Sequence, residues 1–136
     1  MMIRWPFNKR YAMSGVEFLL DTNMVIGLLK GHAAAVALAE ESSFALEKSA
    51  VSQITRMELL GYPQLTNEED GTIRGFLAHC QVRMLDEKIE ACAIQLRRNG
   101  SFKLPDAIVA ATALTGSLRL LTLDQAMLRG LQKLGA

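Results

Sequence analysis

Short apolar runs alternate with stretches of helical period along this chain, the pattern of an α/β fold built on a mainly parallel sheet. Residues 16–20 form the first predicted strand, which ends at Asp21. A helix is expected over residues 23–29, stopped by Gly31, where a left-handed turn costs glycine little. Residues 32–41 are alanine-rich and helical, with Val36, Leu38 and Ala39 as apolar contacts. The second strand is expected within residues 44–51, and a helix over 52–60 is broken by Gly61, Tyr62 and Pro63.

Thr66 and Glu69 have capping-box spacing, so hydroxyl and carboxylate can each satisfy a free amide at the start of a helix over 67–78. Residues 82–85 read as the third strand. Asp86 then caps a helix whose apolar face is Ile89, Cys92, Ala93 and Leu96. Pro105 suits a first helical turn, and the helix it opens, 105–115, is apolar almost all round, which makes it central. Residues 118–123 are the last predicted strand; Met127, Leu128, Leu131 and Leu134 stripe a terminal helix. The prediction is one α/β domain over 16–136, with a sheet of four to five strands flanked by helices. Residues 1–15 lack periodicity and read as an amino-terminal extension or as a stretch upstream of a natural start at Met13.

Composition narrows the class. A chain of 136 residues, 50% of them apolar and 21% charged, fits one ordinary globular domain without disulfide staples. Fifteen basic side chains against fourteen acidic ones leave a net charge of +1, so no global field grips a polyanion. Any nucleic-acid contact must come from a local basic surface or from metal ions. Cys80 and Cys92 lack metal-site spacing and read as free thiols on helix faces, suited to a reducing cytoplasm. Asp21 interrupts the most apolar stretch, 18–29, and the amino terminus has no hydrophobic run of signal-peptide type, so neither membrane nor export is expected.

The chemistry is in where the acids fall. Asp21 ends the first strand, Asp124 ends the last, Asp106 opens the apolar helix, and Glu58 interrupts the apolar positions of the helix over 52–60. Ligands of open parallel sheets bind beyond the carboxyl ends of the strands. Three of these acids map to that edge, and Glu58 can reach it. Two such charges about 4 Å apart repel by roughly 4 kcal/mol at an effective dielectric near 20. Protons or a hard cation must relieve that, and Mg²⁺ or Mn²⁺ favours oxygen ligands. Such ions activate water against phosphodiesters, so the pattern points to metal-assisted hydrolysis. Singly, each acid reads better as structural, with Asp21, Asp106 and Asp124 as helix caps or first-turn residues; jointly, at one edge, they favour a site. Arg56, Arg97, Arg98 and Lys103 are candidates to hold phosphates, with Arg97 and Arg98 better read as helix C-terminal charges. His32 and His79 have no partner at ligand spacing.

Four stretches resemble the PIN-domain ribonucleases, in particular the VapC-type toxins of toxin–antitoxin pairs. They are Leu20-Asp21-Thr22-Asn23; Ser52 through Glu58 to Gly61; Leu104-Pro105-Asp106 through Ala113; and Leu121-Thr122-Leu123-Asp124, in the family's order. The resemblance covers the chain from about Val16 onward. It implies that Asp21, Glu58, Asp106 and Asp124 are catalytic, metal-binding acids, the last position being the least fixed in the family. It implies supporting roles for Thr22, Asn23, Ser52 and Thr122, which orient carboxylates or the metal's waters. It further implies an RNA substrate, an antitoxin partner through which any DNA is bound, and homodimers.

Two other readings stay open. An aspartyl-phosphate phosphatase also places an Asp after its first strand, but wants a second acid where Asn23 stands. A non-catalytic interaction module would use the acids only as caps.

Overall fold

The computed structural model describes residues 15–100 and 102–135; most of the 1–15 extension lies outside them. The strands are β1 (Phe18–Leu20), β2 (Ser49–Ser52), β3 (Gln81–Arg83) and β4 (Arg119–Leu121), paired in parallel in the order β3-β2-β1-β4. Between and after them run α1 (Thr22–Lys30), α2 (Ala33–Glu41), α3 (Gln53–Leu60), α4 (Asn67–Leu77), α5 (Glu87–Arg98), α6 (Leu104–Gly116) and α7 (Gln125–Gly135). The predicted α/β class is present, and the sheet has four strands among the described residues, within the four to five expected.

Alternation along the strands sorts the core into two layers, as a sheet covered on both faces requires. Phe18, Leu20, Val51 and Leu121 meet Met24 and Val25 of α1, Leu59 of α3, and Ile73 and Leu77 of α4. Leu19 and Ala50 face the other way, onto Ile89, Ala93 and Leu96 of α5, Val109 and Ala110 of α6, and Met127 and Leu131 of α7. The chain steps from β1 to β2 to β3 in one direction, then jumps back past β1 to form β4. That reversal opens a crevice between the carboxyl ends of β1 and β4.

Several local expectations hold at the residue level. Gly31 has φ +68° and ends α1, and the Thr66–Glu69 capping box is closed by both of its bonds. The Asp86 carboxylate accepts the Ile89 N–H at 2.8 Å. The strands are shorter than expected. Within residues 44–51 only the end pairs, because Leu46–Lys48 coil into a single 3₁₀ turn. Beyond β3, Met84 and Leu85 are exposed and unpaired, although the Leu85 N–H is held by Gln53 Oε1 at 3.0 Å. Cys92 sits half-buried on α5 as expected, whereas Cys80 is not on a helix: it lies in the turn entering β3, within 3.3 Å of Ser49 Oγ.

Among the described residues no single helix is long and apolar enough to cross a membrane; α1 and α2 reach that apolarity only as a pair bent by 108°. Gly27 permits this bend, since a Cβ there would stand 2.7 Å from the buried Cβ of Ala35. Gly27→Val is therefore expected to cost about 1–3 kcal/mol through overpacking, read as a lower urea midpoint. A variant of unchanged or higher midpoint would mean that the α1–α2 contact yields freely.

Candidate active site

Asp21 follows β1 directly, and its own N–H continues the β1–β4 ladder by donating to Leu121 O at 3.0 Å. Its carboxylate is thereby fixed in the crevice, only 6% exposed. Oδ1 accepts the Thr22 N–H at 2.8 Å, the helix-capping role expected of an Asp at this position. Oδ2 accepts the Thr122 hydroxyl at 2.7 Å and the Asn23 amide at 3.3 Å. Burial raises the Asp21 pKa above its ordinary value, bonds from Thr122 and Thr22 oppose the rise, and the charges of Glu58 and Asp124 add to it.

Asn23 ties β4 to α1. Its Oδ1 accepts the Leu123 N–H at 3.0 Å while its Nδ2 reaches Asp21 and, at 3.3 Å, the Thr122 hydroxyl oxygen. Thr122 Oγ1 also accepts the Asp124 N–H at 3.1 Å. Asp124 itself uses Oδ1 to accept the Met127 N–H at 3.1 Å, so it too caps a helix, α7. Asp106, by contrast, makes no capping bond; Lys103 holds the N-cap position of α6 and contributes no side-chain bond. Burial raises the Asp106 pKa, followed by repulsion from Asp21, Asp124 and Glu58, with Lys103 alone opposing. Asp106 therefore lies in the common field of all three other acids.

Glu58 stands exposed on α3 and accepts the Thr22 hydroxyl at 2.6 Å. A single residue, Thr22, thus links the first acid to the second. Ser52 is turned inward: its Oγ accepts the Thr55 N–H at 3.1 Å as the N-cap of α3, and it touches no carboxylate directly. Lys103 adjoins Asp106 electrostatically, which keeps it a candidate phosphate contact. Arg56 is a weaker one, since residues two apart on a helix face different ways and Glu58 is two positions on. Arg97 stands in the last turn of α5, as expected of a helix C-terminal charge, and donates to Phe102 O beyond the helix at 2.9 Å. Both histidines are exposed.

Among the described residues no three of the His, Cys, Asp and Glu side chains form a ready-made metal shell, so the expected convergence on one ion is looser than the sequence suggests. The donor set still fits a hard cation. Every candidate ligand is a carboxylate oxygen, the acids repel one another, and neither ion pair seen among the described residues, Glu17–Lys48 or Asp70–Arg74, neutralises them. Mg²⁺ typically takes one or two protein carboxylates and keeps several waters, so it does not need a closed cage. The apolar cleft lined by Leu114, Leu118 and Leu128 involves none of these acids.

Sequence reading names the four acids and their polar neighbours and leaves Thr55 out of the site, since no histidine stands ready to make it a nucleophile. Thr55 is fully buried and lies 3.4 Å from Thr22 Oγ1. Its only sequence signal is a polar residue where α3 turns inward.

A parallel sheet with an acid-lined crevice at its topological reversal is the architecture of a PIN domain, and the family model described as PIN domain matches residues 18–130. The chain belongs to the PIN-domain family. Within it, the likeness is to the VapC-type branch, through solved toxin–antitoxin structures. A toxin–antitoxin complex from Klebsiella pneumoniae is 30% identical, with TM-score 0.67, over 79% of this chain and 87% of that one. The crystal structure of FitAcB from Neisseria gonorrhoeae is 27% identical, with TM-score 0.67, over 83% and 91%. VapBC2 from Rickettsia felis, bound to a DNA fragment from its promoter, shares the fold at 19% identity and TM-score 0.67 over 84% and 92%. A comparison with curated protein sequences finds no match.

Proposed function

We propose that this protein is a Mg²⁺- or Mn²⁺-dependent endoribonuclease acting as the cytoplasmic toxin of a toxin–antitoxin pair. The observation that carries the reading is the convergence of acids at one sheet edge: Thr22 bonds both Asp21 and Glu58, Thr122 bonds Asp21 and the Asp124 N–H, and Asp106 lies within the field of those three acids. Repulsion of this kind is relieved by protons or by a cation, and a divalent ion relieves it while the carboxylates stay ionised. A divalent ion, when bound, supplies charge neutralisation for the scissile phosphate and a more acidic water.

The chain's own residues do the rest. Asp21, fixed by three hydrogen-bond donors, is the rigid ligand; Glu58, Asp106 and Asp124 complete the acidic wall around it. Thr122 and Asn23 hold Asp21 and the start of α7 in register. Lys103, and less directly Arg56, contribute positive charge for RNA phosphates. By analogy with the relatives in toxin–antitoxin complexes, a small antitoxin covers this crevice, the toxin pairs as a homodimer, and DNA is bound through the antitoxin.

The test uses purified protein freed of any companion. The protein should cleave defined RNAs only when Mn²⁺ is present, and free Mn²⁺ at about a hundred times its Kd should raise stability by about 2.7 kcal/mol. Intact tRNA, rRNA and mRNA after incubation with Mn²⁺ would remove the nuclease reading, and no Mn²⁺-dependent stabilisation would leave the interaction-module reading in its place.

A further inference from the structure

Thr55 lies in the first turn of α3 and is fully buried. A buried hydroxyl needs a partner. Other helical threonines here solve this locally: Thr72, Thr112 and Thr115 each donate to the carbonyl four residues back. Thr55, at the third position of its helix, has no helical carbonyl behind it. Its hydroxyl instead faces Ser52 Oγ at 3.3 Å and, across to α1, Thr22 Oγ1 at 3.4 Å.

Counting protons gives these contacts a direction. Each hydroxyl carries one proton, and an ionised carboxylate only accepts. Thr22 spends its proton on Glu58, at 2.6 Å. Thr22 Oγ1 is also oriented to donate to Thr55 Oγ1 at 3.4 Å, but its one proton cannot serve both oxygens, and the 2.6 Å carboxylate contact takes it. The longer contact then closes with the proton of Thr55, while the Thr55–Ser52 contact draws its own from Ser52. Ser52 Oγ keeps a lone pair for the Thr55 N–H, at 3.1 Å. The result is a one-way chain, Ser52 to Thr55 to Thr22 to Glu58, anchored at a buried helix cap and ending on the most exposed acid of the crevice. Hydrogen bonds in series polarise one another, and a link removed from the middle loosens both ends. Glu58 has several rotatable bonds, and the Thr22 hydroxyl is its one hydrogen-bond partner among the described residues.

We infer that Thr55 is a positioning residue for the divalent-cation site: its hydroxyl commits the proton of Thr22 to Glu58 and so aims Glu58 toward Asp21. This rests on the metal-dependent reading above. Thr22 and Ser52 belong to the same chain, and Thr55 is its buried hinge.

The experiment measures Mn²⁺ binding by water-proton relaxation, with no RNA present. Thr55→Val, of nearly the same shape, should raise the Mn²⁺ dissociation constant about tenfold, the lower end for an outer-shell partner. Thr55→Ser should restore it. In a Glu58→Gln background the Thr55→Val effect should vanish, because both changes act on one chain. Should Thr55→Val lower the metal-free melting temperature, Thr55→Ala in the same two backgrounds carries the comparison. Wild-type affinity in Thr55→Val, or an equal loss with and without Glu58, overturns the inference. Absence of Mn²⁺ binding by the wild type is a separate outcome, and it overturns the metal reading on which the inference stands.

Discussion

Asp106→Asn is expected to lower RNA cleavage on the order of 10²–10³-fold or more while making the metal-free fold more stable at neutral pH. The activity loss corresponds to about 3–4 kcal/mol of transition-state stabilisation. The stability gain follows from the same charge. Burial first, and then Asp21, Asp124 and Glu58, raise the Asp106 pKa above its ordinary 3.8. A group whose folded pKa is raised stabilises the fold fully below its ordinary pKa and loses that contribution as pH rises through the folded value. At neutral pH the wild type has lost it and bears the repulsion, whereas Asn bears none.

The variant's advantage should be near zero at pH values below about 4 and grow to about 0.5–1 kcal/mol at neutrality, discounted for partial exposure. Urea denaturation in chelator across this range checks it. Mn²⁺ should reverse the order, because only the wild type retains the full ligand set. A variant that keeps more than a tenth of wild-type cleavage, or that is less stable than wild type in chelator at neutral pH, contradicts the assignment of Asp106.

Thr122→Val should have the largest effect on stability, about 2–3 kcal/mol at neutral pH, from the loss of a bond to a buried charge. The Thr122 hydroxyl makes the shortest bond to Asp21, at 2.7 Å, and also accepts the Asp124 N–H. Valine fills the same space and supplies neither. Asp21 would keep the Thr22 N–H and the longer Asn23 contact. Thr122 is also the largest influence holding the Asp21 pKa down against burial, so that pKa should climb further in the variant. The deficit should therefore shrink toward acid pH, where Asp21 is protonated in both proteins. Thr122→Ser should recover most of it. An unchanged urea midpoint for Thr122→Val at pH 7 would show that Asp21 does not depend on this hydroxyl.

Much of this is legible in the amino-acid sequence. Gly31, the Thr66–Glu69 box, Asp86 and Pro105 are local signals, decided by groups within a few residues, and they mark the helix ends correctly. The four acids could be grouped as candidates because strand ends share an edge in any parallel sheet. What the pattern could not carry is pairing length and cross-element distance. Met84 and Leu85 read as strand because they are apolar, yet an edge strand stops where its neighbour turns into α3. The role of Thr55 depends on how closely α1 and α3 approach, and nothing near residue 55 encodes that. The looser grouping of the acids has the same origin, since spacing along the chain places carboxylates at an edge without fixing the ångströms between them.

The β1–β4 pairing has a consequence for biosynthesis. The Thr122–Asp21 and Leu123–Asn23 bonds join residues about a hundred positions apart, so β4 is made long after β1, its partner in the sheet. Chains emerge at roughly 5–20 residues per second, amino terminus first. A ribosome-bound intermediate lacking β4 therefore has Asp21 without its keeper and no floor on one side of the crevice. Until β4 has been made and has paired with β1, such a polypeptide cannot close the crevice, so its acids come together only after synthesis has passed Asp124.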